Sequence, residues 1–311
     1  MNINQIYNAE CFTLLQSLPD KSINCCVTSP PYYGLRDYGN DAQIGLEKTP
    51  EEYIKKLVDV FHEVRRILRD DGTLWVNIGD SYAGSMKGAA SYPENAMNYK
   101  QGTNRGTLGK ATLVKQCTGC KHKDLIGIPW MLAFALRADG WYLRQDIIWS
   151  KPSVMPESVK DRCTKSHEYI FLLSKNKKYY FDNYSIAEAA TSYDTIIRNR
   201  DITKLNNTPG RTKMKGLVRN NYITRNKRSV WNVPTQPSRE AHFATFPEKL
   251  IIDCIKAGCP EDGIVLDPFI GSGTTAVVAR KLNRNYVGIE LNPDYVNIAK
   301  KRLSKELGFF K

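Results

Sequence analysis

The sequence lacks any long apolar run and any recognisable secretion signal. No stretch of its 311 residues approaches the roughly 18 apolar residues that a membrane-spanning helix needs, so no membrane partner is predicted. The amino-terminal segment has no basic region followed by an apolar one, which argues against a signal peptide and predicts a cytoplasmic protein. Because 41% of the residues are hydrophobic, the chain can bury a core, which excludes a disordered protein.

The sequence also lacks the two cysteine pairs that a structural zinc site usually requires. Cys117 and Cys120 have CxxC spacing and His122 follows them, but no second pair completes four ligands. An ordinary loop is therefore favoured and no metal is expected, with zinc binding by this pair as the alternative. Cys25 and Cys26 lie in an apolar run, as is typical of small buried residues in a reducing compartment.

Acidic residues are few relative to basic ones: 32 against 45, which leaves a net charge of +13. The excess lies in two segments, since residues 83–124 contain seven basic and two acidic residues, and residues 183–240 contain eleven and four. Both segments lack helix or strand periodicity, and loops of such length are usually functional. Basic residues mixed with aromatic ones indicate a nucleic-acid surface, and solvated loops are the alternative. The interspersed aromatic residues are Tyr92, Tyr99, Tyr193, Tyr222 and Trp231.

The nearly neutral remainder alternates between strand and helix patterns. This alternation predicts an α/β fold with a doubly wound, mostly parallel sheet, in which ligands bind at the carboxyl ends of the strands. Strands are predicted at residues 22–27, 73–78, 145–149, 169–173, 263–266 and 285–290, and helices at residues 50–68, 128–136, 247–257, 275–282 and 293–303.

A glycine-rich turn lies between a predicted strand and helix, where residues 265–275 read Val-Leu-Asp-Pro-Phe-Ile-Gly-Ser-Gly-Thr-Thr. Gly271 and Gly273 permit close approach of the backbone, and the helix that follows presents free N–H groups. Glu290 ends the next strand and is suited to a ribose diol. The pattern predicts a nucleoside-cofactor site, although it is neither a Walker loop nor a GxGxxG sequence. A plain tight turn is the alternative.

A second motif, Thr-Ser-Pro-Pro-Tyr at residues 28–32, ends another predicted strand. The prolines fix the backbone, so that the Ser29 hydroxyl and the Pro30 carbonyl form two acceptors near one point. Together with the aromatic face of Tyr32, they could hold a planar exocyclic amine, as enzymes that act on a flipped base require. The alternative is a proline turn with a core tyrosine. This alternative is disfavoured if both motifs lie on one sheet.

These two motifs together resemble those of the S-adenosylmethionine-dependent DNA amino-methyltransferases of the N4-cytosine/N6-adenine family. The order, with Ser-Pro-Pro-Tyr before Asp-Pro-Phe-Ile-Gly-Ser-Gly-Thr-Thr, resembles the permuted subgroup. The resemblance implies a Rossmann-like class I methyltransferase fold with basic, loop-rich insertions, and S-adenosylmethionine as cofactor. Further matching segments are residues 124–130, 143–149, 166–172 and 246–250.

The resemblance also implies the residues of the site. The catalytic residues it implies are Ser29, Pro30, Pro31 and Tyr32. The cofactor-binding residues it implies are Glu10, Phe246, Pro247, Lys249, Asp267, Pro268, Phe269, Gly271, Ser272, Gly273, Thr274, Glu290 and Asn292. At Glu10 the chain departs from the family, which often has Asp there, and a surface acid is the alternative.

The resemblance further implies double-stranded DNA as the partner. Residues 1–182 and 241–311 are predicted to form the catalytic domain, with residues 83–124 as a basic insertion and residues 183–240 as the target-recognition region. A cognate restriction endonuclease is a possible functional partner, and the chain is expected to be a monomer or homodimer. Candidate DNA contacts are Arg211, Lys213, Lys215, Arg225, Lys227 and Arg228.

The implied reaction methylates an exocyclic amine without a covalent enzyme–base intermediate. The sequence has no Pro-Cys dipeptide, which methylation of a ring carbon would use. Within the family Ser-Pro-Pro-Tyr is commoner among cytosine-N4 enzymes, so cytosine N4 is preferred over adenine N6. The other readings are an RNA methyltransferase, a methyltransferase-like module that only binds nucleic acid, and a dinucleotide oxidoreductase.

Overall fold

The structure is a computed structural model that describes residues 1–35, 40, 42–84, 119–154, 156–190, 223–235 and 246–308. Strands and helices alternate through most of these ranges. The strands are β1 (Gln5–Asn8), β2 (Ile23–Thr28), β3 (Leu68–Ile78), β4 (Tyr142–Ser150), β5 (His167–Ser174), β6 (Glu188–Ala189), β7 (Thr224–Arg225), β8 (Val230–Asn232), β9 (Ile264–Asp267) and β10 (Asn285–Glu290). The helices are α1 (Cys11–Ser17), α2 (Pro50–Ile67), α3 (Ile128–Ala138), α4 (Glu248–Gly258), α5 (Thr274–Lys281) and α6 (Pro293–Leu307).

Eight of these strands form one sheet in the order β1-β10-β9-β2-β3-β5-β4-β8. Neighbouring strands are parallel except at β5, which runs antiparallel to both β3 and β4. The predicted doubly wound, mostly parallel sheet is therefore confirmed. The chain winds outward in opposite directions from β9 and from β2, so the topological switch point lies between these two adjacent strands. Ligands of such sheets bind at this point.

Helices cover both faces of the sheet and enclose two apolar cores. Helices α1, α2 and α3 pack on one face, and α4, α5 and α6 on the other. Helix α2 shows how sequence determines these elements: the Thr49 side chain accepts a hydrogen bond from the Glu52 N–H, and Pro50 occupies the first turn. Its apolar stripe, which includes Leu57 and Phe61, is fully buried against the sheet.

Five short elements, β1, β6, β7, β8 and α1, were not predicted from the sequence. Strand β1 has only four residues, and β8 has three, so neither presents a readable alternation. Helix α1 begins after Glu10, which is not among the residues usually preferred at that position. Strand β8 lies within the predicted target-recognition region, residues 183–240, and pairs with β4 as an edge strand of the main sheet.

Trp231 in β8 was interpreted from the sequence as part of a nucleic-acid surface, and this interpretation is wrong. The residue is only 5% exposed and belongs to the core beneath the α4–α6 face. Its indole N–H donates to the Arg228 carbonyl at 2.8 Å, so both its apolar ring and its polar edge are satisfied internally. The four tyrosines cited with it, Tyr92, Tyr99, Tyr193 and Tyr222, lie outside the described residues.

Gly258, the last residue of α4, is expected to tolerate no side chain. A Cβ at this position would lie 2.5 Å from Trp75 Nε1 and 2.6 Å from Thr73 Oγ1, both rigidly buried in β3. Gly258→Ala should therefore lower the free energy of unfolding by about 1–3 kcal/mol through overpacking, as measured by urea denaturation. The matched control is Gly308→Ala, where a Cβ would meet nothing within 4 Å. Equal stability of the two variants would contradict this packing argument.

No helix in the described ranges is long and apolar enough to cross a membrane. Within the same ranges no group of three or more His, Cys, Asp or Glu side chains could hold a metal ion. Cys117, one half of the predicted CxxC pair, lies outside the described residues, and Cys120 is disulfide-bonded in the structure, so it does not offer a free thiolate to zinc.

Candidate active site

The two motifs meet at the switch point of the sheet. Strand β2 ends at Thr28, directly before Ser29, and the adjacent strand β9 ends at Asp267, directly before the glycine-rich turn. The Thr28 hydroxyl donates to Asp267 Oδ1 at 2.6 Å, so a buried hydrogen bond joins the ends of the two motif-bearing strands. The sequence predicted that both motifs lie at strand ends, and the structure places them side by side.

Asp267 organises the start of the glycine-rich turn. Its carboxylate is 1% exposed and also accepts from the Thr275 hydroxyl at 2.6 Å and from the Phe269 N–H at 3.1 Å. Burial raises the pKa of Asp267 to about 6, against the opposing effect of these hydrogen bonds. A buried carboxylate with every partner inside the protein has a structural role: it holds the strand, the turn and the helix that follows in one arrangement.

The backbone of the turn requires glycine at two points. Gly271 has φ +52° and Gly273 has φ +83°, a region that residues with side chains rarely adopt. At Gly273 a Cβ would also lie 3.0 Å from the Ala299 Cβ of α6. At Gly271 no atom of the described residues lies closer than 4.0 Å to such a Cβ, so open space adjoins the backbone in this part of the structure. The turn thus offers room for a ligand against exposed main chain.

Glu290, at the end of β10, faces this space from the neighbouring strand. Its carboxylate oxygens accept from the Gly271 N–H at 3.0 Å and from the Asn292 N–H at 2.8 Å. Burial raises the pKa of Glu290 to about 7 despite these two hydrogen bonds. Each oxygen retains acceptor capacity, since a carboxylate has about four lone-pair sites. Partly exposed acceptors beside an open glycine turn fit the ribose hydroxyls of a nucleoside cofactor.

Glu10, the residue that departs from the family pattern, has its acceptor sites occupied internally. Its oxygens accept from the N–H groups of Phe12 and Thr13, from the Thr13 hydroxyl and from the Cys11 thiol, which together form the amino-terminal cap of α1. Partial burial acts to raise the pKa of Glu10, but these hydrogen bonds outweigh it and the net pKa is lowered. The capping role accounts for the residue fully, and a cofactor contact stays a prediction.

The other predicted cofactor residues fall into two groups. Pro268, Ser272, Thr274 and Pro247 are buried, and Phe269 and Phe246 are partly buried beside the two cores. The Asn292 side chain accepts a hydrogen bond from the Asp294 N–H and caps α6. Lys249 is exposed on α4.

The Ser-Pro-Pro-Tyr turn contains both acceptors that the sequence predicts. The Pro31 carbonyl accepts from the buried Tyr53 hydroxyl at 2.8 Å. No hydrogen bond from the described residues reaches the Pro30 carbonyl. Ser29 is partly exposed, whereas Pro30 is buried. Tyr32 is partly exposed and its hydroxyl donates to Glu168 Oε2 at 2.7 Å.

Sequence reasoning missed the polar residues beneath this turn. Glu168 on β5 accepts from Tyr32 and forms an ion pair with Lys151, which follows β4. Asn77 on β3 donates to Glu168 Oε2 at 3.3 Å. Glu168 lies in residues 166–172, a segment that resembles the family. This resemblance was the signal in the sequence that could have identified Glu168 as a site residue. Strand pairing brings these residues together from distant points of the chain, and a single sequence does not reveal such pairing.

The predicted DNA contacts are only partly within the described chain. Arg211, Lys213 and Lys215 lie outside the described residues. Arg225 and Arg228 both form ion pairs with Glu188, and Lys227 pairs with Asp253 at 2.9 Å. Lys227 is also positioned over the Trp231 ring, so it stabilises the protein internally. Arg228 is the most exposed of the three, with 69% of its side chain accessible.

Comparison with known sequences gives matches over nearly the whole chain. A family model described as DNA methylase matches residues 23–301. The chain is 46% identical over 308 residues to the Type II methyltransferase M.Cfr9I of Citrobacter freundii, covering 98% of this chain and 89% of that protein. It is 49% identical over 291 residues to the Type II methyltransferase M.SmaI of Serratia marcescens, covering 93% of this chain and 87% of that protein.

Solved structures share the fold. A PvuII DNA methyltransferase described as cytosine-N4-specific superimposes with a TM-score of 0.61 at 19% identity, over 98% of this chain and 91% of that one. The complex of M1.HpyAVI with SAM superimposes with a TM-score of 0.54 at 19% identity, over 96% of this chain and 99% of that one. At this level of identity the likeness concerns the fold alone.

Proposed function

Because the chain belongs to the family of DNA methylases and is an S-adenosylmethionine-dependent DNA amino-methyltransferase, we propose that its target is N4 of cytosine in double-stranded DNA. The observation that supports methyl transfer to an amine at this place is the buried hydrogen bond between Thr28 and Asp267. It joins the turn that contains the two proposed acceptors to the turn with an open glycine backbone. A methyl donor and an amine acceptor held at these two turns would be adjacent.

When bound, S-adenosylmethionine supplies a methyl group on a positively charged sulfur that an amine nitrogen can attack in line. Glu290 would accept hydrogen bonds from the ribose hydroxyls, and Gly271 would allow close approach of the main chain. The Ser29 hydroxyl and the Pro30 carbonyl would accept the two N–H groups of the target amine. These acceptors favour a pyramidal nitrogen whose lone pair is available, and orientation supplies much of the rate. Formation of the nitrogen–carbon bond would break the sulfur–methyl bond and leave the neutral thioether S-adenosylhomocysteine, and the nitrogen would release one proton to water.

The choice of cytosine N4 over adenine N6 has two supports. Ser-Pro-Pro-Tyr, the sequence of residues 29–32, is commoner among cytosine-N4 members of the family, and one structural neighbour is described as cytosine-N4-specific. The test is mass spectrometry of nucleosides from DNA that the purified protein has methylated. N4-methylcytosine supports the proposal, and N6-methyladenine alone would replace it with the adenine alternative. A parallel reaction with RNA and labelled cofactor tests the RNA reading.

We also propose that residues 183–240 form the target-recognition region, next to a catalytic domain formed by residues 1–182 and 241–311. The concentration of positive charge in this region supports the assignment, because phosphate neutralisation dominates DNA affinity. Residues 83–124 supply a second basic segment. The Type II names of the relatives further support a cognate restriction endonuclease as the functional partner. A monomer or a homodimer is compatible with this organisation.

Removing three charges from this region should weaken DNA binding without affecting the cofactor. For the combined Arg211→Ala, Lys213→Ala and Lys215→Ala variant, we expect about tenfold weaker DNA binding and a salt slope reduced by about three, if all three contact phosphates. Fluorescence anisotropy across a salt series measures both. A charge-matched control replaces Lys21, Lys177 and Lys178, which are exposed and lie before β2 and after β5. Equal loss in both variants would show that only net charge matters.

A further inference from the structure

Four charged side chains on α4, α5 and α6 form a closed ring of ion pairs. Glu248, the first residue of α4, accepts from Arg302 at 2.7 Å and from Lys281 at 3.0 Å. Glu306 accepts from the same two bases, at 2.7 Å and 2.5 Å. The four side chains are between 24% and 34% exposed, so solvent screens the ring only in part. None of the roles assigned above uses Arg302, Lys281 or Glu306.

Arg302 also reaches the glycine-rich turn. Its Nη1 donates to the hydroxyl of Thr274 at 2.8 Å, and Thr274 is the first residue of α5, directly after Gly273. One helical turn earlier on α6, Ala299 lies so close to Gly273 that a Cβ on this glycine would be 3.0 Å from the Ala299 Cβ. Residues three apart lie on the same face of a helix, so one face of α6 supports the turn at two successive points.

The other end of this contact lies at a second segment that is predicted to bind the cofactor. Glu248 directly follows Pro247, within the segment 246–250 that resembles the family. Helix α4 begins after Pro247 and α5 begins after Gly273, and neither residue has a side chain that can cap a helix. Arg302 instead binds the first helical side chain at each of the two starts.

The chemistry of arginine suits this position. A guanidinium is planar and carries N–H donors on three nitrogens. Here each nitrogen binds a different partner: Nε binds Glu306, Nη1 binds Thr274 and Nη2 binds Glu248. Two of these partners belong to α4 and α5, so one side chain of α6 fixes the starts of both helices. A lysine has a single nitrogen and cannot present the same fork.

We infer that Arg302 is a positioning residue for the cofactor. By binding Glu248 and Thr274 together, it sets the spacing between residues 246–248 and the glycine-rich turn, so that the cofactor meets a site already in its bound form. A site ordered in advance costs less free energy to organise when the ligand binds, so this contact contributes to affinity and not to the chemical step. The inference rests on the proposed placement of the cofactor at these two segments.

The test compares cofactor affinity with the rate of methyl transfer in the full-length protein. For Arg302→Gln we expect the calorimetric Kd for S-adenosylmethionine to rise about tenfold, the effect of losing one hydrogen bond to a charged group. The single-turnover rate on duplex DNA at saturating cofactor should stay within about twofold of the unmutated protein. Glu248→Ala removes one end of the same contact and should also weaken binding. Because both changes act through one contact, the double variant should bind about as well as Arg302→Gln alone.

Arg302→Lys separates the bridging geometry from the charge. This variant keeps the positive charge but has one nitrogen in place of three, so we expect binding to remain at least about threefold weaker than in the unmutated protein. An unmutated affinity for Arg302→Lys would overturn the inference.

Arg66→Gln serves as the matched control. The Arg66 side chain is 29% exposed and also pairs with two acids, Asp20 and Glu63, but it belongs to α2 on the other face of the sheet. This variant should lose stability in urea with no change in cofactor affinity. Three results would each overturn the inference: an unchanged Kd for Arg302→Gln, a loss of rate at saturating cofactor in place of the loss of affinity, or an equal loss of affinity in Arg66→Gln.

If Arg302→Gln does not fold, Glu248→Ala decides by the same criteria. Failure of the unmutated protein to bind S-adenosylmethionine or to methylate DNA would instead overturn the proposed function. A normal affinity in the unmutated protein together with an unchanged Kd in the variants would overturn the positioning role alone, so the two failures are distinguishable.

Discussion

Ser29→Ala should lower the turnover number by roughly 10²–10³-fold while leaving the affinity for S-adenosylmethionine unchanged. Ser29 follows β2 at the catalytic turn, whereas the open glycine backbone and Glu290 belong to β9 and β10 and the turns after them. The substitution removes one of two acceptors for the amine and leaves the Pro30 carbonyl in place. The loss should therefore appear in the chemical step and not in assembly of the complex.

Rapid-quench methyl transfer measures the first quantity, and titration calorimetry with S-adenosylhomocysteine measures affinity for the cofactor site. Ser22→Ala is the control, because Ser22 precedes the same strand at its other end and its hydroxyl donates to the Pro19 carbonyl. A Ser29→Ala protein with wild-type turnover would remove Ser29 from the mechanism. A comparable loss in Ser22→Ala would assign the effect to strand stability.

Glu290→Ala should weaken cofactor binding by about 10–100-fold. Hydrogen bonds to a charged acceptor contribute about 1.5–3 kcal/mol, and each 1.4 kcal/mol corresponds to a factor of ten. The substitution also leaves the Gly271 N–H without its partner, so the turn loses part of its organisation. Glu261→Ala is a suitable control, because its side chain is 75% exposed in the turn before β9. Unchanged calorimetric affinity of Glu290→Ala would exclude the ribose contact.

The same residue predicts how cofactor binding depends on pH. Burial raises the pKa of Glu290 to about 7, above the usual value for a glutamate, so the free protein binds a proton there as the pH falls below about 7. A protonated carboxyl accepts fewer hydrogen bonds from a diol. Affinity should therefore be full above pH 8 and should fall toward pH 6. Glu290→Gln, which does not titrate, should show a flat profile over this range.

The sequence was sufficient to predict the sheet and the two turns because both depend on local chemistry. Helical spacing in residues 50–68 predicted α2, and prolines and glycines marked the ends of β2 and β9. The strand order was not predicted, because parallel pairing joins segments far apart in the chain, such as β2 and β9. For the same reason the ion pair between Lys151 and Glu168 could not be predicted from either residue alone.

Aromatic and basic residues near one another in the sequence can form a nucleic-acid surface, or they can pair with each other inside the protein. Composition does not distinguish these two cases. Lys227 and Trp231 match the pattern of a nucleic-acid surface. In the structure, Lys227 lies over the Trp231 ring and pairs with Asp253 of α4, and Trp231 packs in the core, so both residues hold β8 against α4. Long side chains can cover an aromatic ring with their apolar stems while the charge finds an acid. A basic residue near an aromatic one in the sequence therefore does not by itself indicate DNA contact.

Strands β6 and β7 pair with each other within the predicted recognition region. They pair antiparallel, and the Ala190 N–H donates to the Ile223 carbonyl at 2.9 Å, so residues 190 and 223 are neighbours in space. A segment whose two ends meet at a hydrogen-bonded stem can be exchanged as a cassette without displacing either end of the catalytic scaffold. Under the proposed assignment of residues 183–240 to target recognition, exchanging residues 191–222 between relatives should change the target sequence, while both ends of the segment keep their places at β6 and β7.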